Sequence, residues 1–370
     1  MDAYRTEIEI LSSRDTGDRK RAADFLLARS LELEDDVELT VLVRYDSIPA
    51  ASASLAGNII KGVAVDPALE GEGLAALAVS RVLAEAANRG RNLLRVFTSP
   101  KNEPIFTSLG FRRLAASGDD AVLLESDPRA FGRWAMDARA EFDARLPPLT
   151  SAQPIPRQTG AGDALPVYGT GAVVVNCNPF TLGHRSLIER AAARCGRLLV
   201  FVLEADKSTF PADVRLRLVR EGTADLKNVA VIKSGPYLIS EATFPTYFLK
   251  EKSRSTAIHA RLDVTLFATK VAPALGIEAR FMGTEPYCEV TKLYNSLIKE
   301  ILPGCGLAAE ELPRVEAEGR AISASSVREA VRTGDWKMLE VLVPDTTLAY
   351  LRSPEAVTVI DAIAAGTGRH

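Results

Sequence analysis

Histidine is scarce in this chain: His184, His259 and His370 are the three in 370 residues. Zinc centres gather several histidines or closely spaced cysteines. Here Cys177, Cys195, Cys288 and Cys305 stand far apart, without a CxxC pair. The same scatter argues against a disulfide scaffold and reads as reduced cytoplasmic thiols. No apolar run reaches the roughly 18 residues needed to cross a bilayer. The charged beginning, MDAYRTEIEILSSRD, does not read as a signal peptide. A net charge of −3 lacks the cationic excess that phosphate backbones require. The expectation is a cytoplasmic protein with no metal centre, no membrane partner and no nucleic-acid partner.

What is present suits a globular chain with full cores: 47% apolar and 25% charged residues. The length favours two domains. Residues 148–168 are rich in Pro, Gly, Ser and Thr and lack apolar periodicity, so they read as a linker. Before it, residues 1–147 mix strands with a helix over GEGLAALAVSRVLAEAANRG, where Leu74, Leu77, Ala78, Val82 and Ala86 recur at helical spacing. After it, residues 169–352 alternate buried-strand runs (GAVVVNC, RLLVFVLE, VAVIK, IEARFMG) with amphipathic helices. That alternation predicts a doubly wound parallel sheet of α/β class, with ligands at the carboxyl ends of its strands. Residues 353–370 are expected to be a C-terminal tail.

Two segments carry chemistry. The first is Asn178-Pro179-Phe180-Thr181-Leu182-Gly183-His184, at the junction of the first strand and first helix of the second domain. A helix start offers unpaired N–H groups and partial positive charge to phosphate. Gly183 permits close backbone approach, while Thr181 and His184 add side-chain donors. The second is Ile322-Ser323-Ala324-Ser325-Ser326-Val327-Arg328, another hydroxyl-rich helix start with an arginine one turn in.

A T/H-x-G-H turn followed by a late ISxSxxR resembles the signature of nucleotidylyltransferases, with Thr181 in the first position. The strings NPFTLGHR, EADKSTFPADVRLRLVREGTADLKNV, SGPYLISEATFPTYFLKE, GTEPYCEVTKLYN and AISASSVR occur in order over residues 170–335. Together they resemble the citrate (pro-3S)-lyase ligase family. The resemblance implies ATP as substrate with Mg²⁺, and acetate as the acid activated. It also implies an acyl-carrier subunit of citrate lyase, bearing a dephospho-CoA-type prosthetic group, as partner.

A carboxylate is already an anion at pH 7 and needs no general base to attack phosphorus. Alignment and charge stabilisation suffice. On this reading His184 steadies the α/β-phosphate region, with phosphate contact favouring its protonated form. Thr181 donates to phosphate, and Lys207 clamps the α-phosphate. Ser323, Ser325, Ser326 and Arg328 hold the β- and γ-phosphates. Asn178, Pro179, Phe180, Gly183, Gly283, Thr284 and Glu285 line the nucleotide site. Tyr294 and Asn295 match the family strings but receive no role.

In the first domain, VDPALEGEGLA resembles the acyl-CoA turn of GNAT acetyltransferases, and Asn102 to Phe111 resembles a later element of that fold. Gly71, Gly73 and Asn102 are the implied contacts for a pantetheine or CoA-type group. Glu70 and Glu72 depart from the pattern. A carboxylate at about 6 Å from pyrophosphate costs roughly 1 to 3 kcal/mol. Two other functions remain open from the residues alone. One is a nucleotidylyltransferase with a phosphorylated acceptor; the other is a GNAT acetyltransferase whose second domain senses nucleotide.

Overall fold

The computed structural model describes residues 5–148, 167–204, 208–240, 243, 254–314, 316–317 and 320–366. Two compact units divide at Phe131/Gly132. The expected linker lies almost wholly outside the described residues.

The first unit is a seven-stranded sheet with helices on it. Its elements run β1 (Thr6–Ser12), α1 (Thr16–Leu27), β2 (Leu39–Tyr45), β3 (Ile48–Ala56), β4 (Ile59–Val65), α2 (Leu74–Asn88), β5 (Arg95–Thr98), α3 (Glu103–Ser108), β6 (Arg112–Ser117) and β7 (Ala121–Glu125). The strand order is β1-β2-β3-β4-β5-β7-β6. β4 and β5 pair in parallel at Ile59–Arg95 and Ile60–Val96, while their neighbours pair antiparallel. The helical spacing read from the sequence is real: Leu74, Ala78, Val82 and Ala86 are buried against the sheet.

The second unit takes in α4 (Ala130–Arg145) from Gly132 onward, so the expected boundary at residue 147 falls one helix beyond the contact boundary. Arg197, buried in the sheet of the second unit, donates to Asp143 and to the Leu146 carbonyl, which explains why this helix packs with that unit. Then come β8 (Tyr168–Val175), α5 (Leu182–Ala192), β9 (Cys195–Val202), α6 (Ala212–Glu221), β10 (Val229–Lys233), α7 (Arg254–Leu266), α8 (Ala272–Leu275), β11 (Ala279–Gly283), α9 (Glu289–Ile301), β12 (Ala308–Leu312), the short pair β13 (Glu316–Ala317) and β14 (Arg320–Ala321), and α10 (Ala324–Thr333). The five long strands are all parallel in the order β10-β9-β8-β11-β12. The chain starts in the middle, winds outward to β10, and returns to fill the other side. The order therefore reverses between β8 and β11, the switch point where such sheets open a crevice.

The C-terminal expectation needs correction. Residues beyond 352 do not trail away: after α11 (Trp336–Leu342) and α12 (Asp345–Leu351), α13 (Val357–Ala364) packs inward. Ala356, Val359 and Ile363 fall on one helical face and join the core. Gly366 is the last described residue.

Candidate active site

A cleft of about 730 Å³ opens at the carboxyl ends of β8 and β11. Both chemistry-bearing segments line it, through Asn178, Thr181, Gly183 and His184 on one side and Ser323, Ser325 and Arg328 on the other. Their closeness is built in at the backbone. A β-carbon on Gly183 would sit 2.8 Å from the Ile322 carbonyl oxygen, so only glycine lets the two turns meet. Arg328 donates to the Asn178 carbonyl and, at 3.2 Å, to the Ser325 hydroxyl, tying α10 to the turn before α5. Two helix N-termini thus face one space, where their partial positive charges add. Gly183→Ala is expected to cost about 1 to 3 kcal/mol in urea unfolding, because a packed backbone must part. It should also raise the KM for ATP.

His184 is held by a capping arrangement of unusual composition. Thr181 is the N-cap of α5, and its hydroxyl accepts from the His184 N–H at 3.2 Å. In return His184 Nδ1 accepts from the Thr181 N–H at 3.2 Å, with the Thr181 hydroxyl at 2.9 Å. A backbone N–H can only donate, so Nδ1 carries the lone pair and the ring proton is on Nε2. Desolvation by the surrounding protein, with the Arg314 guanidinium second, pushes the ring's pKa from 6.5 down to about 4. Without ligand, this ring is a neutral Nε2–H donor; the expectation of a protonated form concerns the ring in contact with phosphate.

The role expected of Thr181 is corrected. Its side chain is buried and spent on His184, so it positions the ring and leaves nothing for phosphate. Thr181→Val should cost about 1 kcal/mol as a lost cap. It should lower kcat with little change in the KM for ATP, and Thr181→Ser should restore both. A urea midpoint and steady-state kinetics measure this.

The remaining expected contacts divide. Gly283 and Glu285 line the cleft; Pro179, Phe180, Thr284 and Ser326 do not. Phe180 is fully buried, its ring 6.2 Å from the His184 ring and nearly parallel to it, so it backs the imidazole from the core. Thr284 accepts from Arg314 through its hydroxyl and carbonyl oxygens. The Ser326 hydroxyl pairs with Ser323 at 2.8 Å. Glu285 is spent on its own loop, accepting from Tyr287 and Cys288 N–H groups and from Arg314. Asn295 donates to the Gly283 carbonyl at 2.9 Å, fixing the end of β11. Lys207 lies outside the described residues.

Asn178 is buried, with Oδ1 accepting from the Phe210 N–H at 2.9 Å. Its Nδ2 is a buried donor without a partner among the described residues. Arg215, which the sequence alone does not single out, is fully buried behind this turn. It donates to the carbonyls of Asn176, Leu203 and Phe210 and to Asn176 Oδ1. Arg314 is likewise absent from the sequence-based candidates, although it stands two residues beyond β12, where ligand contacts concentrate in such sheets.

In the first unit, Gly71 and Gly73 have φ of 90° and 77° immediately before α2, as a backbone turn presenting N–H groups requires. Glu70 and Glu72 are exposed beside them. Asn102 donates to the Thr98 hydroxyl at 3.1 Å. Among the described residues no helix is long and apolar enough to cross a membrane.

A family model described as the citrate lyase ligase C-terminal domain matches residues 170–351. A citrate (pro-3S)-lyase ligase of Klebsiella pneumoniae is 38% identical over 338 residues, covering 90% of this chain and 92% of its own. A phosphopantetheine adenylyltransferase of Caldanaerobacter subterraneus subsp. tengcongensis is 29% identical over 145 residues, 38% of this chain and 88% of its own. The crystal structure of Escherichia coli ElaA covers 33% of this chain and 99% of its own, at 14% identity and a TM-score of 0.29. With a relative this similar along nine-tenths of its length, and with its two signature turns meeting in one cleft, the chain belongs to the citrate (pro-3S)-lyase ligase family of enzymes.

Proposed function

We propose that this enzyme adenylates acetate with ATP and passes the acetyl group to the prosthetic-group thiol of the citrate lyase acyl-carrier subunit. An acetate oxygen bonds to the α-phosphorus as the bridging α–β P–O bond breaks, and pyrophosphate leaves with the electron pair. A thiolate then attacks the acetyl carbon, and AMP leaves. The observation that carries this reading is the pairing of two helix N-termini, His184 and Arg328 around one cleft. It is a set of donors and a cation, which suits attack by a ready-made anion.

His184 Nε2–H and the N–H groups opening α5 serve the α-phosphate oxygens. Ser323, Ser325, Arg328 and the start of α10 serve the β- and γ-phosphates. Asn178 Nδ2 is a further donor to the same phosphates. Among the described residues no three His, Cys, Asp or Glu side chains stand together as a metal site. Mg²⁺ would accompany ATP as part of the substrate, offsetting the charge of its phosphates. In the first unit the turn at Gly71 and Gly73 supports docking of a pantetheine-type arm, while Glu70 and Glu72 oppose a pyrophosphate there.

Exchange of labelled pyrophosphate into ATP tests the reading. The expected result is exchange that requires acetate. Exchange without acetate, or none with it, overturns the proposal.

Titration gives a separate check on His184. Its pKa in the fold lies below that of the unfolded chain, so acid favours the unfolded state. The contribution to stability is full above about pH 6.5 and is lost as pH falls toward 4. Nitrogen NMR of the ligand-free protein should show the neutral Nε2–H ring down to pH 5. A midpoint near 6.5 would contradict the buried environment.

A further inference from the structure

One wall of the cleft carries a cation that the phosphate-handling groups leave unexplained. Arg280 lies within β11 and is only 3% exposed, yet it lines the cleft. Its guanidinium carbon is 4.4 Å from the centre of the Phe267 ring and 5.2 Å from that of Tyr294. One arm, Nη2, donates to Tyr294 Oη at 3.1 Å. Tyr294 in turn donates to Asp263 Oδ2 at 2.5 Å, and Asp263 Oδ1 accepts from the Ile239 N–H at 2.7 Å. The other arm, Nη1, is buried and has no partner among the described residues.

A guanidinium is a permanent cation whose planar fork matches a carboxylate. Aromatic rings fix its plane, and Tyr294 occupies one arm. Among the described residues nothing answers the second arm, and a buried donor left so is costly, which favours a ligand there. Asp263 lies within electrostatic reach of the guanidinium, but among the described residues no hydrogen bond runs from Nη1 to its carboxylate. The surroundings limit what fits. Ile239 and Ile298 also line the cleft, and Ile298 lies one turn beyond Tyr294 on the same face of α9. A small anion with a short alkyl group suits these walls better than a phosphate chain, whose donors are grouped at the two helix starts.

We infer that Arg280 anchors the acid substrate: Nη1 donates to one oxygen of a small monocarboxylate whose alkyl group lies against Ile239 and Ile298. The second oxygen stays free to attack the α-phosphorus. This assignment rests on the adenylation reading above. Arg280 then sets which acid is accepted, and the phosphate donors act independently of it.

The test is the acetate-dependent exchange assay on the full chain, with acetate and ATP varied separately. Arg280→Met should raise the KM for acetate about 10- to 100-fold, as for a lost charge-assisted hydrogen bond. The KM for ATP should stay within about two-fold, and Arg280→Lys should recover part of the loss. Ile298→Ala should raise kcat/KM for propionate relative to acetate by about 10-fold, since it widens the alkyl wall. That ratio decides the matter even where the arginine variants fail to fold. An unchanged KM for acetate in folded Arg280→Met, an equal rise in the KM for ATP, or an unchanged acid preference in Ile298→Ala overturns the anchor. An active wild type with insensitive variants sinks this assignment alone. A wild type without acetate-dependent exchange sinks the adenylation reading and the anchor with it.

Discussion

His184→Ala lowers acetate-dependent exchange by about two to three orders of magnitude, the loss of roughly 3 to 4 kcal/mol typical of one preorganised donor at a developing charge. The size of the effect comes from how the ring is prepared. Its tautomer is fixed by the Thr181 N–H, its plane is backed by Phe180, and its pKa near 4 keeps the proton on Nε2 at working pH. No reorganisation is needed when negative charge grows on the α-phosphate. The loss should fall on kcat more than on the KM for ATP, because many other donors hold the ground-state triphosphate. His184→Gln, which keeps an N–H near the same reach, should recover part of the rate. The alanine variant also loses the reciprocal cap, so a urea midpoint is measured beside the rate. A folded His184→Ala protein with wild-type kcat would remove this ring from the mechanism.

Much of the second unit is legible in the sequence because its strands are buried on both faces. Val229–Lys233 reads correctly for that reason, as a short unbroken apolar run. The junction of strand and helix around Asn178 to His184 is legible, but the exact start of α5 at Leu182 is not. A capping box normally closes on Glu or Gln at its third helical position, and here His184 takes that place. The same exception hides the role of Thr181, which looks like a phosphate donor until its partners are seen. α13 escapes the pattern because it is only eight residues long and runs into AAGTGRH, which suggests a frayed end. The buried arginines are out of reach for a different reason. Nothing in EARFMG or VRLRL distinguishes an arginine that faces water from one that fills a core. Their partners come from separate segments: Asp263 and Tyr294 around Arg280, three carbonyls around Arg215. Only the fold brings those together.

Arg215→Met is expected to cost about 3 to 5 kcal/mol of stability in the second unit. Arg215 is among the largest fully buried side chains, and it meets backbone carbonyls from three places. Asn176 lies past the end of β8, Leu203 past the end of β9, and Phe210 in the segment before α6. Methionine fills similar length but donates nothing, so three buried acceptors lose this donor at about 1 to 3 kcal/mol each. Against that stands the relief of no longer desolvating a cation, which keeps the net below the sum. The three carbonyls flank the Asn178 turn, so the variant should also loosen the start of α5 and the seat of His184. Arg215→Lys keeps the charge but cannot reach all three at once, and should fall between the two. Urea unfolding measures the stability loss, and the exchange assay on the folded fraction measures the effect on the turn. If Arg215→Met unfolds at the wild-type urea midpoint, these carbonyls do not depend on the arginine and the phosphate turn is organised by its own backbone.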